Sequence, residues 1–452
     1  MSGDATAIVE RALARLRRAG AHAGDALLVD SDSTEARVRG AEVDFVKQAR
    51  ERTLGIRAFV AGARGLRTAQ TSTSDLSPDS VDGLADATVT LARATAEDPA
   101  AGLPDAGFAA DAPELELLDP RDREVAVEAR IASARRAEAA ARAVDPRIEN
   151  SEGSQVGSEL SRVVYGSTQG YLGRYEAAAH SLFCEPIARQ NGSLQRDSWF
   201  TAARRLAALE DAESVGRTAA RRALRRLGAR RVPTCEVPVI FDPVTAPSLL
   251  GHVAACANGY AVYRETSFLA TRMGERVASE RVTIVDDGRL PGRLGSRPFD
   301  GEGLPTRRNV LVSQGRLSSW ILDSYSARKL GLTSTGSAAR GPASAPSAAP
   351  TNLWLEPGAG TLEDLVAATP RGLLVTELIG MGFHPVTGDY SRGAAGLWIE
   401  AGEIAYPVEE ITIAGNLGEM LLAIDAVAAD LVWRGRVASP SLRVARMTVA
   451  GE

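Results

Sequence analysis

The sequence predicts an α+β protein, with N-terminal and middle α/β regions followed by a large antiparallel strand-rich C-terminal domain. Helical and strand-like patterns do not alternate regularly along the 452 residues, which argues against a doubly wound parallel sheet. A chain of this length exceeds one ordinary core, and 44% hydrophobic with 24% charged residues is typical of a globular protein. A stretch rich in Ala, Pro and Asp near residue 100 has no periodicity and indicates a linker. We therefore expect four segments, at 1–97, 98–118 (the linker), 119–232 and 233–452.

The first region opens with an amphipathic helix over 5–19, where apolar residues recur at helical spacing between arginines. Three strand-like runs follow, at 26–30, 35–40 and 52–60. The turn at 62–65 then folds the chain back as a hairpin. Ser77 followed by Pro78 is typical of a helix start, and this helix is expected to reach about residue 95.

The middle region is predicted to hold a helix over 120–143, antiparallel strands over 155–200 and a second helix over 211–228. The second helix carries four arginines, at Arg221, Arg222, Arg225 and Arg226. A basic helix can follow a phosphate backbone, but no aromatic residues accompany this one and the chain has a net charge of -5. We interpret the arginines as a solvated outer face and expect no nucleic-acid partner.

The C-terminal domain is predicted to consist mainly of strands, with turns at Gly315 and at 401–402 and a closing helix over 418–432. Between these strands the segment 334–352 has the small-residue composition of a mobile loop. A loop of that length could gate a cavity.

His252 and Cys256 lie four residues apart on a predicted helix, so their side chains would share one face. A helical zinc hydrolase also needs a carboxylate beside the metal, and no acidic residue lies between Asp242 and Glu265. A third metal ligand would have to come from elsewhere in the chain, from His180, Cys184, Cys235 or His384. Packing in the core is the interpretation we prefer for His252 and Cys256. A metal clip or a Cys–His nucleophile pair remains an alternative.

The location of the protein is predicted from its cysteines and from the absence of targeting signals. Three scattered cysteines do not form a disulfide framework, which indicates a reducing compartment. The first twenty residues lack the continuous apolar core of a signal peptide. The most apolar late segment, EMLLAIDAVAADLVW, contains two aspartates and is too short to span a bilayer. We expect a cytoplasmic protein without membrane contact.

The order of motifs in the last two hundred residues carries a resemblance to a known family. The motifs are SFLATRMGERVAS, DDGRLPGRLGSRPFDGEG with PTRRNVLV, LDSYSARKLGLTSTG, PTNLWLEPG and VTGDYSRGAAGLWIEAGEIAYPVEEITIAGNLGEML. Together they resemble the TldD/PmbA family (peptidase U62), once called modulator of DNA gyrase. The likeness extends to VRGAEVDFVKQARERTLGIRAFV and DLSP near the N-terminus, so it covers nearly the whole chain.

The resemblance implies a PmbA/TldE-type subunit that lacks the zinc motif. TldD-type subunits of the family hold zinc with a helical H-E-x-x-x-H and a later Cys in a C-G-K-x-G-Q context. Aligning the preceding Leu-Leu places Gly251 at the first His, His252 at the Glu and Cys256 at the second His. No cysteine follows Cys256, and the chain ends in RGRVASPSLRVARMTVAG as PmbA/TldE-type chains do. We therefore assign no catalytic residue and no metal ligand.

The function implied by the resemblance is that of a catalytically inactive subunit in a heterodimeric zinc metalloprotease that degrades or processes unfolded or small peptides. A TldD-like catalytic subunit would be the partner and would hold the zinc, with no cofactor in this chain. Peptides would bind in extended conformation, pairing with exposed strand edges. The alternatives are a stand-alone metal-dependent hydrolase using His252 and Cys256, or a non-enzymatic regulator of a DNA-handling enzyme. A homodimer is a further possibility.

A candidate cavity or interface site lies in the run TGDYSR and just before it. The residues are His384, Thr387, Asp389, Tyr390, Ser391 and Arg392. The run is interpreted as a loop between strands, and it combines more polarity than a simple turn requires. His384 stands where relatives are expected to have Asn. The alternative is a hydrogen-bonded turn in which Asp389 caps the local backbone.

Overall fold

The computed structural model describes residues 2–40, 42–105, 107–110 and 113–451, so residues 106, 111 and 112 of the expected linker lie outside the described residues. The helices are α1 (Ser2–Arg18), α2 (Pro78–Ala94), α3 (Val127–Arg142), α4 (Ala212–Leu224), α5 (Pro247–Cys256), α6 (Gly259–Tyr263), α7 (Ser324–Leu330), α8 (Leu362–Ala367) and α9 (Leu417–Leu422). Short 3-10 helices cover Pro120–Glu124 and Leu206–Ala208. In the described part of the chain, no helix is long and apolar enough to cross a membrane.

The strands form several sheets and are numbered in chain order. They are β1 (Ala23–Arg39), β2 (Glu42–Ala61), β3 (Leu66–Thr73), β4 (Glu97–Asp98), β5 (Ile148–Ser167), β6 (Leu172–Gln190), β7 (Ser193–Arg196), β8 (Trp199–Ala203), β9 (Cys235–Phe241), β10 (Ile284–Asp287), β11 (Arg308–Ser313), β12 (Arg316–Leu317), β13 (Ala338–Ala339), β14 (Ser347–Ala348), β15 (Leu353–Leu355), β16 (Arg371–Ile379), β17 (Asp389–Glu400), β18 (Glu403–Asn416), β19 (Ile424–Val427), β20 (Val437–Ala438) and β21 (Leu442–Ala450). The confirmed fold class is α+β with a strand-rich C-terminal region.

One antiparallel sheet contains the strands of both the N-terminal and the middle regions. Its order is β4-β3-β2-β1-β5-β6-β7, with β8 also paired to β6. β1 and β5 are the central pair, in a register that places Asp32 opposite Leu160. The segments 1–97 and 119–232 are therefore joined by continuous strand pairing.

Two helix pairs cover the two ends of one face of this sheet. α1 and α2 pack on alternate residues of β1 and β2, including Leu28 and Leu54. α3 and α4 pack further along the same face, on residues that include Val38 and Leu182. The order α1-β1-β2-β3-α2 is thus followed by the similar order α3-β5-β6-β8-α4, a structural repeat that the sequence does not reveal. Between the helix pairs the sheet is polar, and Asp30 lies opposite Arg52 on β2.

The C-terminal domain combines two sheets around one large core. One sheet has the order β18-β17-β16-β9-β21-β19, and an additional β18–β21 pairing closes its first five strands into a ring. The other has the order β12-β11-β10-β15-β20. α5 is buried in the core that they share, through Leu249, Leu250 and Val253. Most strand pairs are antiparallel, with the parallel pairs β16–β9 and β15–β20 as exceptions.

A closing helix was predicted over 418–432, and this prediction is wrong beyond the first turns. α9 ends at Leu422, and the chain continues as β19. Ile424 and Val427 pair with Val444 and Leu442 of β21. This long-range strand pairing overrides the local helical pattern.

The expectation that 334–352 is a mobile gating loop does not agree with the structure. Arg340 and Asp25 are both fully buried, and the Arg340 Nη1 lies 2.7 Å from the Asp25 Oδ1. Gly55 on β2 makes room for the segment, because a Cβ there would lie 1.8 Å from the carbonyl oxygen of Pro342. The segment 334–352 is therefore held in place against the first sheet.

Candidate functional site

α5 contains the residues that the sequence resemblance aligns with the zinc-binding helix of TldD-type subunits. Pro247 stands at its first position, where the missing N–H costs no helical hydrogen bond. Leu249, Leu250 and Val253 form its buried face. Gly251 points away from the core, since a Cβ at this residue would meet no atom within 4 Å. The position aligned with the first histidine ligand thus faces open space and offers no ligand atom.

His252 packs against two aromatic rings. Its ring centroid lies 4.3 Å from that of Phe383 and 6.0 Å from that of Tyr390. The Nε2 atom is buried and has no hydrogen-bond partner among the described residues. Burial lowers the pKa of His252, and the nearby Arg392 cation lowers it further. The imidazole is therefore neutral at pH 7 and acts as a packing group.

Cys256 is fully buried at the end of α5. Its Sγ is 3.9 Å from the carbonyl oxygen of Pro385, which is a weak contact. Burial raises the pKa of the Cys256 thiol to about 11, so the thiolate that a metal would require is disfavoured.

The residues in this region do not fit a zinc ion. Gly251 has no side-chain ligand atom, His252 has its Nε2 buried among rings, and the burial of Cys256 disfavours its thiolate form. Within the described ranges, no group of three or more His, Cys, Asp or Glu residues is arranged to hold a metal. We assign no step of chemistry through a metal to this chain.

The run TGDYSR is only partly a loop, because β17 already begins at Asp389. The prediction of a loop between strands is wrong from that residue onward, since Asp389 pairs with Asn416 of β18. The Thr387 hydroxyl donates to the Asp389 Oδ2 at 2.6 Å and lies 3.2 Å from the His384 Nδ1. The Gly388 N–H donates to the His384 carbonyl at 2.8 Å. His384, Thr387 and Asp389 therefore form an exposed hydrogen-bonded turn.

Tyr390 and Arg392 lie on the opposite face of β17 from Asp389 and Ser391, as strand alternation requires. Tyr390 is 1% exposed, and burial raises its pKa to about 12. Its Oη has no hydrogen bond of good geometry among the described residues, although Arg392 lies beside it. The Arg392 Nε is also buried without a partner in the described part of the chain. The structure thus brings Tyr390 and Arg392 to His252.

A cavity of about 380 Å³ opens next to Arg392. Its lining includes Trp199, Arg222, Thr376, Glu377, Leu378 and Arg392. The sequence did not indicate this cavity, because its walls come from four distant stretches of the chain, within 185–200, 222–226, 244–248 and 376–392.

The predicted solvated face is wrong for most of the four arginines at the end of α4 and just after it, and Arg222 and Arg226 line this cavity. Arg222 is 7% exposed and donates to Asp197 Oδ1 and to the Thr376 carbonyl, each at 3.1 Å. Arg226 forms an ion pair with Glu377. Arg225 is largely buried, and this burial lowers its pKa to about 10. Arg221 alone of the four is exposed.

β16 presents a partly free edge to the same cavity. It pairs with β17 from Arg371 to Ile379, with a bulge at Thr376, but with β9 only through Leu373, Leu374 and Val375. Glu377 and Leu378 border the cavity on the side where β9 has ended. An extended chain could pair with such an edge.

Three family models match the chain in order. They are PmbA/TldA metallopeptidase domain 1 at residues 24–92, the central domain at 120–227 and the C-terminal domain at 234–451. The metalloprotease PmbA of Escherichia coli O157:H7 is 39% identical over 92% of this chain and 89% of that protein. The PmbA homologue of Haemophilus influenzae is 36% identical over 96% of this chain and 93% of that protein.

Solved structures have the same fold. A protein of Bacteroides thetaiotaomicron described as a putative modulator of DNA gyrase has a TM-score of 0.90 at 26% identity, covering 99% of this chain and 98% of that one. TldE from Thermococcus kodakarensis has a TM-score of 0.88 at 23% identity, covering 98% of this chain and all of that one. The chain therefore belongs to the PmbA/TldD family of metallopeptidases and is of the PmbA/TldE type.

Proposed function

We propose that the chain is the non-catalytic subunit of a heterodimeric zinc metalloprotease that degrades or processes unfolded or small peptides. A TldD-like catalytic subunit is the proposed partner and holds the zinc, and the pair works in the cytoplasm. The observation that carries the proposal is the state of α5, where Gly251 faces open space and the Cys256 thiol is buried and protonated. Family membership supports the peptidase context.

The proposed contribution of this chain is to hold peptide substrates. Beyond Val375, β16 has no strand partner on the β9 side among the described residues and borders a cavity of about 380 Å³, which supports binding of an extended peptide there, with the Thr376 carbonyl already taken by Arg222. Arg222, Arg392 and Glu377 line the cavity and supply polar groups for side chains or peptide termini. Tyr390 and Arg392 belong to this cavity in the proposal. His384, Thr387, Asp389 and Ser391 lie on the outer surface, where they would meet the partner.

The two alternatives have less support. A hydrolase using His252 and Cys256 needs an accessible imidazole nitrogen and a thiolate, but the Nε2 of His252 is buried and burial raises the pKa of the Cys256 thiol. A regulator that binds DNA would need a basic surface, while the net charge is -5.

Reconstitution tests the proposal. The chain, a TldD-like subunit from the same genome and their mixture are each assayed for cleavage of an unfolded protein and of short peptides. We expect cleavage that requires the TldD-like subunit and is raised by this chain through a stable one-to-one complex. Cleavage by this chain alone, or no complex with the TldD-like subunit, would contradict the proposal.

A further inference from the structure

A second cavity, of about 470 Å³, lies on the polar middle of the first sheet, away from α5. Ser158 of β5 and His180 of β6 line it from the sheet, and Asp122 lines it from the 3-10 helix that precedes α3. Ser158 and His180 stand directly opposite each other in the strand register. A hydroxyl, an imidazole and a carboxylate around one cavity are the groups of a nucleophilic serine site.

The two polar contacts of His180 set the roles of its ring nitrogens. Nδ1 lies 2.8 Å from the Ser158 Oγ, and Nε2 lies 3.3 Å from the Asp122 Oδ2. A carboxylate on the Nε2 side favours the tautomer that carries its proton on Nε2. Nδ1 is then the acceptor, and the Ser158 hydroxyl donates to it. This is the polarity that a general base needs in order to remove the hydroxyl proton.

His180 is deeply buried and neutral. It is 4% exposed, and its Nε2 makes no hydrogen bond of good geometry among the described residues, although Asp122 is within 3.3 Å. Catalytic contacts of this kind often tighten only when substrate binds. Burial lowers the pKa of His180; the Asp122 carboxylate opposes this effect, and the Arg130 cation adds to it. The imidazole is therefore able to accept a proton at pH 7.

Asp122 is held in place by two contacts that do not involve His180. Its Oδ2 accepts a hydrogen bond from the Leu206 N–H at 2.9 Å. Its backbone carbonyl accepts one from the Arg130 Nη2 at 3.0 Å. A carboxylate fixed in this way can stabilise the imidazolium that forms when His180 takes up a proton.

The cavity gives a small substrate access to the hydroxyl, because Ser158 is partly exposed. Apolar side chains that suit a short acyl chain also line it, at Leu118, Val125, Val127 and Leu160. Arg130 and Arg162 belong to the same lining, and a guanidinium there can stabilise the negative charge that develops on an attacked carbonyl oxygen. The volume is within the range of small-ligand sites.

We propose that Ser158, His180 and Asp122 form a reactive serine site that cleaves short-chain carboxylic esters. The Ser158 oxygen bonds to the ester carbonyl carbon while its proton passes to the His180 Nδ1. The bond from that carbon to the alcohol oxygen breaks, and His180 returns the proton to the departing alcohol. Water then cleaves the acyl–serine ester with His180 again as base, which releases the carboxylic acid and restores the hydroxyl. The site is separate from zinc-dependent peptide cleavage and does not depend on the proposed peptidase role.

A fluorophosphonate probe tests the site in the wild-type full chain, purified without a partner subunit and kept in chelator. The Ser158 oxygen bonds to phosphorus, fluoride leaves with the electrons of the phosphorus–fluorine bond, and the hydroxyl proton passes to His180. We expect one probe per chain, located at Ser158 by mass spectrometry of the digested protein. No adduct, or an adduct confined to other residues, would overturn the proposal.

Variants test the role of each residue, with hydrolysis of p-nitrophenyl butyrate as a second measurement. Ser158→Ala should abolish both labelling and enzymatic hydrolysis. His180→Gln should slow labelling by at least about 100-fold, since general-base catalysis contributes that much or more. Asp122→Asn keeps an acceptor for the Leu206 N–H but loses the charge, so labelling should slow by at least about tenfold.

Ser161→Ala is the matched control. Its side chain lies on the opposite face of β5 from Ser158, and its hydroxyl donates to Glu159 at 2.8 Å. This variant should be labelled and should hydrolyse the ester at the wild-type rates. Labelling at the wild-type rate in folded Ser158→Ala or His180→Gln would overturn the proposal, and the labelled position in the wild-type chain decides it if these variants do not fold.

Discussion

The imidazole of His252 stacks on the ring of Phe383, with centroids 4.3 Å apart and planes inclined at 31°. This contact directs the histidine into an aromatic pocket rather than toward the open side of α5, where Gly251 stands. The His252–Phe383 pair is therefore a packing contact at a position where a metal ligand or a catalytic group could otherwise stand.

His252→Phe should preserve the fold and the activity of the reconstituted pair. Another aromatic ring can stack on Phe383, and no hydrogen bond of Nε2 is lost. We expect the free energy of unfolding to stay within about 1 kcal/mol of the wild type, while His252→Ala loses about 1–3 kcal/mol. Urea unfolding measures both. Loss of peptidase activity in His252→Phe with an intact fold would mean that the imidazole has a chemical role.

Arg340→Met should destabilise the chain strongly. Against the raising effect of burial, Arg340 and Arg57 hold the pKa of Asp25 below its ordinary value, and the substitution removes one of them. Breaking a buried ion pair in this way costs about 3–5 kcal/mol. Urea unfolding of the variant measures this cost.

The double variant Asp25→Asn with Arg340→Met is the matched control, because it removes the unpaired charge together with its partner. It should recover part of the lost free energy of unfolding. A single-variant cost below about 1 kcal/mol would show that 334–352 is not anchored through this pair.

Local patterns predicted the elements whose formation depends on local sequence. The spacing of apolar residues over 5–19 predicted α1, and Ser77–Pro78 predicted the start of α2. The composition of 334–352 predicted a mobile loop, and this prediction was wrong because the partner that anchors Arg340 is more than three hundred residues away. β19 was missed for the same reason, since its pattern is helical and its stability comes from β21.

The candidate site was predicted only in part. The polarity of TGDYSR drew attention to Tyr390 and Arg392, which do lie beside His252. Strand alternation then separates them from Asp389, and this depends on the pairing of β17 with β18. The cavity needs Trp199 and Arg222 from the middle region, and nothing local in the sequence links them to Thr376.

Asp286→Asn should weaken the dependence of stability on pH. Asp286 is 1% exposed, and burial raises its pKa to about 7, although Thr351 donates two hydrogen bonds to it. An unfolded aspartate titrates near pH ~3.9, so the native state binds this proton more tightly. The protonated Asp286 carboxyl therefore contributes fully to the free energy of unfolding below about pH 3.9, and this contribution is lost as the pH rises through about 7.

The measurement compares urea unfolding at pH 5 and pH 8. The loss of free energy of unfolding between these pH values should shrink by up to about 3 kcal/mol in Asp286→Asn. The exposed Asp44→Asn serves as the control and should behave as the wild type. An unchanged pH dependence in Asp286→Asn would show that the buried carboxyl is not protonated in the native state.

Arg392→Ala should impair the peptidase activity of the reconstituted pair. Arg392 lines the cavity, so its guanidinium can bind a peptide carbonyl or carboxylate. We expect a rise in KM of about tenfold or more, the value of one hydrogen bond to a charged group. Ser391→Ala, on the outer face of the same strand, is the control.

The turn at the outer face is tested with Asp389→Ala. This variant loses the hydrogen bond from Thr387 and should weaken the complex with the TldD-like subunit without changing KM. Complex formation and peptidase activity that are both unchanged in Asp389→Ala and in Arg392→Ala would reject a cavity or interface role for this segment.

The central claim is tested most directly by the zinc content of the purified chain. This content is measured by elemental mass spectrometry and compared with the zinc content of the reconstituted pair. The account predicts less than about one tenth of a zinc ion per chain for the protein alone and about one per heterodimer, since the α5 positions offer no ligand set. One tightly bound zinc ion in the isolated chain, lost on changing His252 or Cys256, would contradict it.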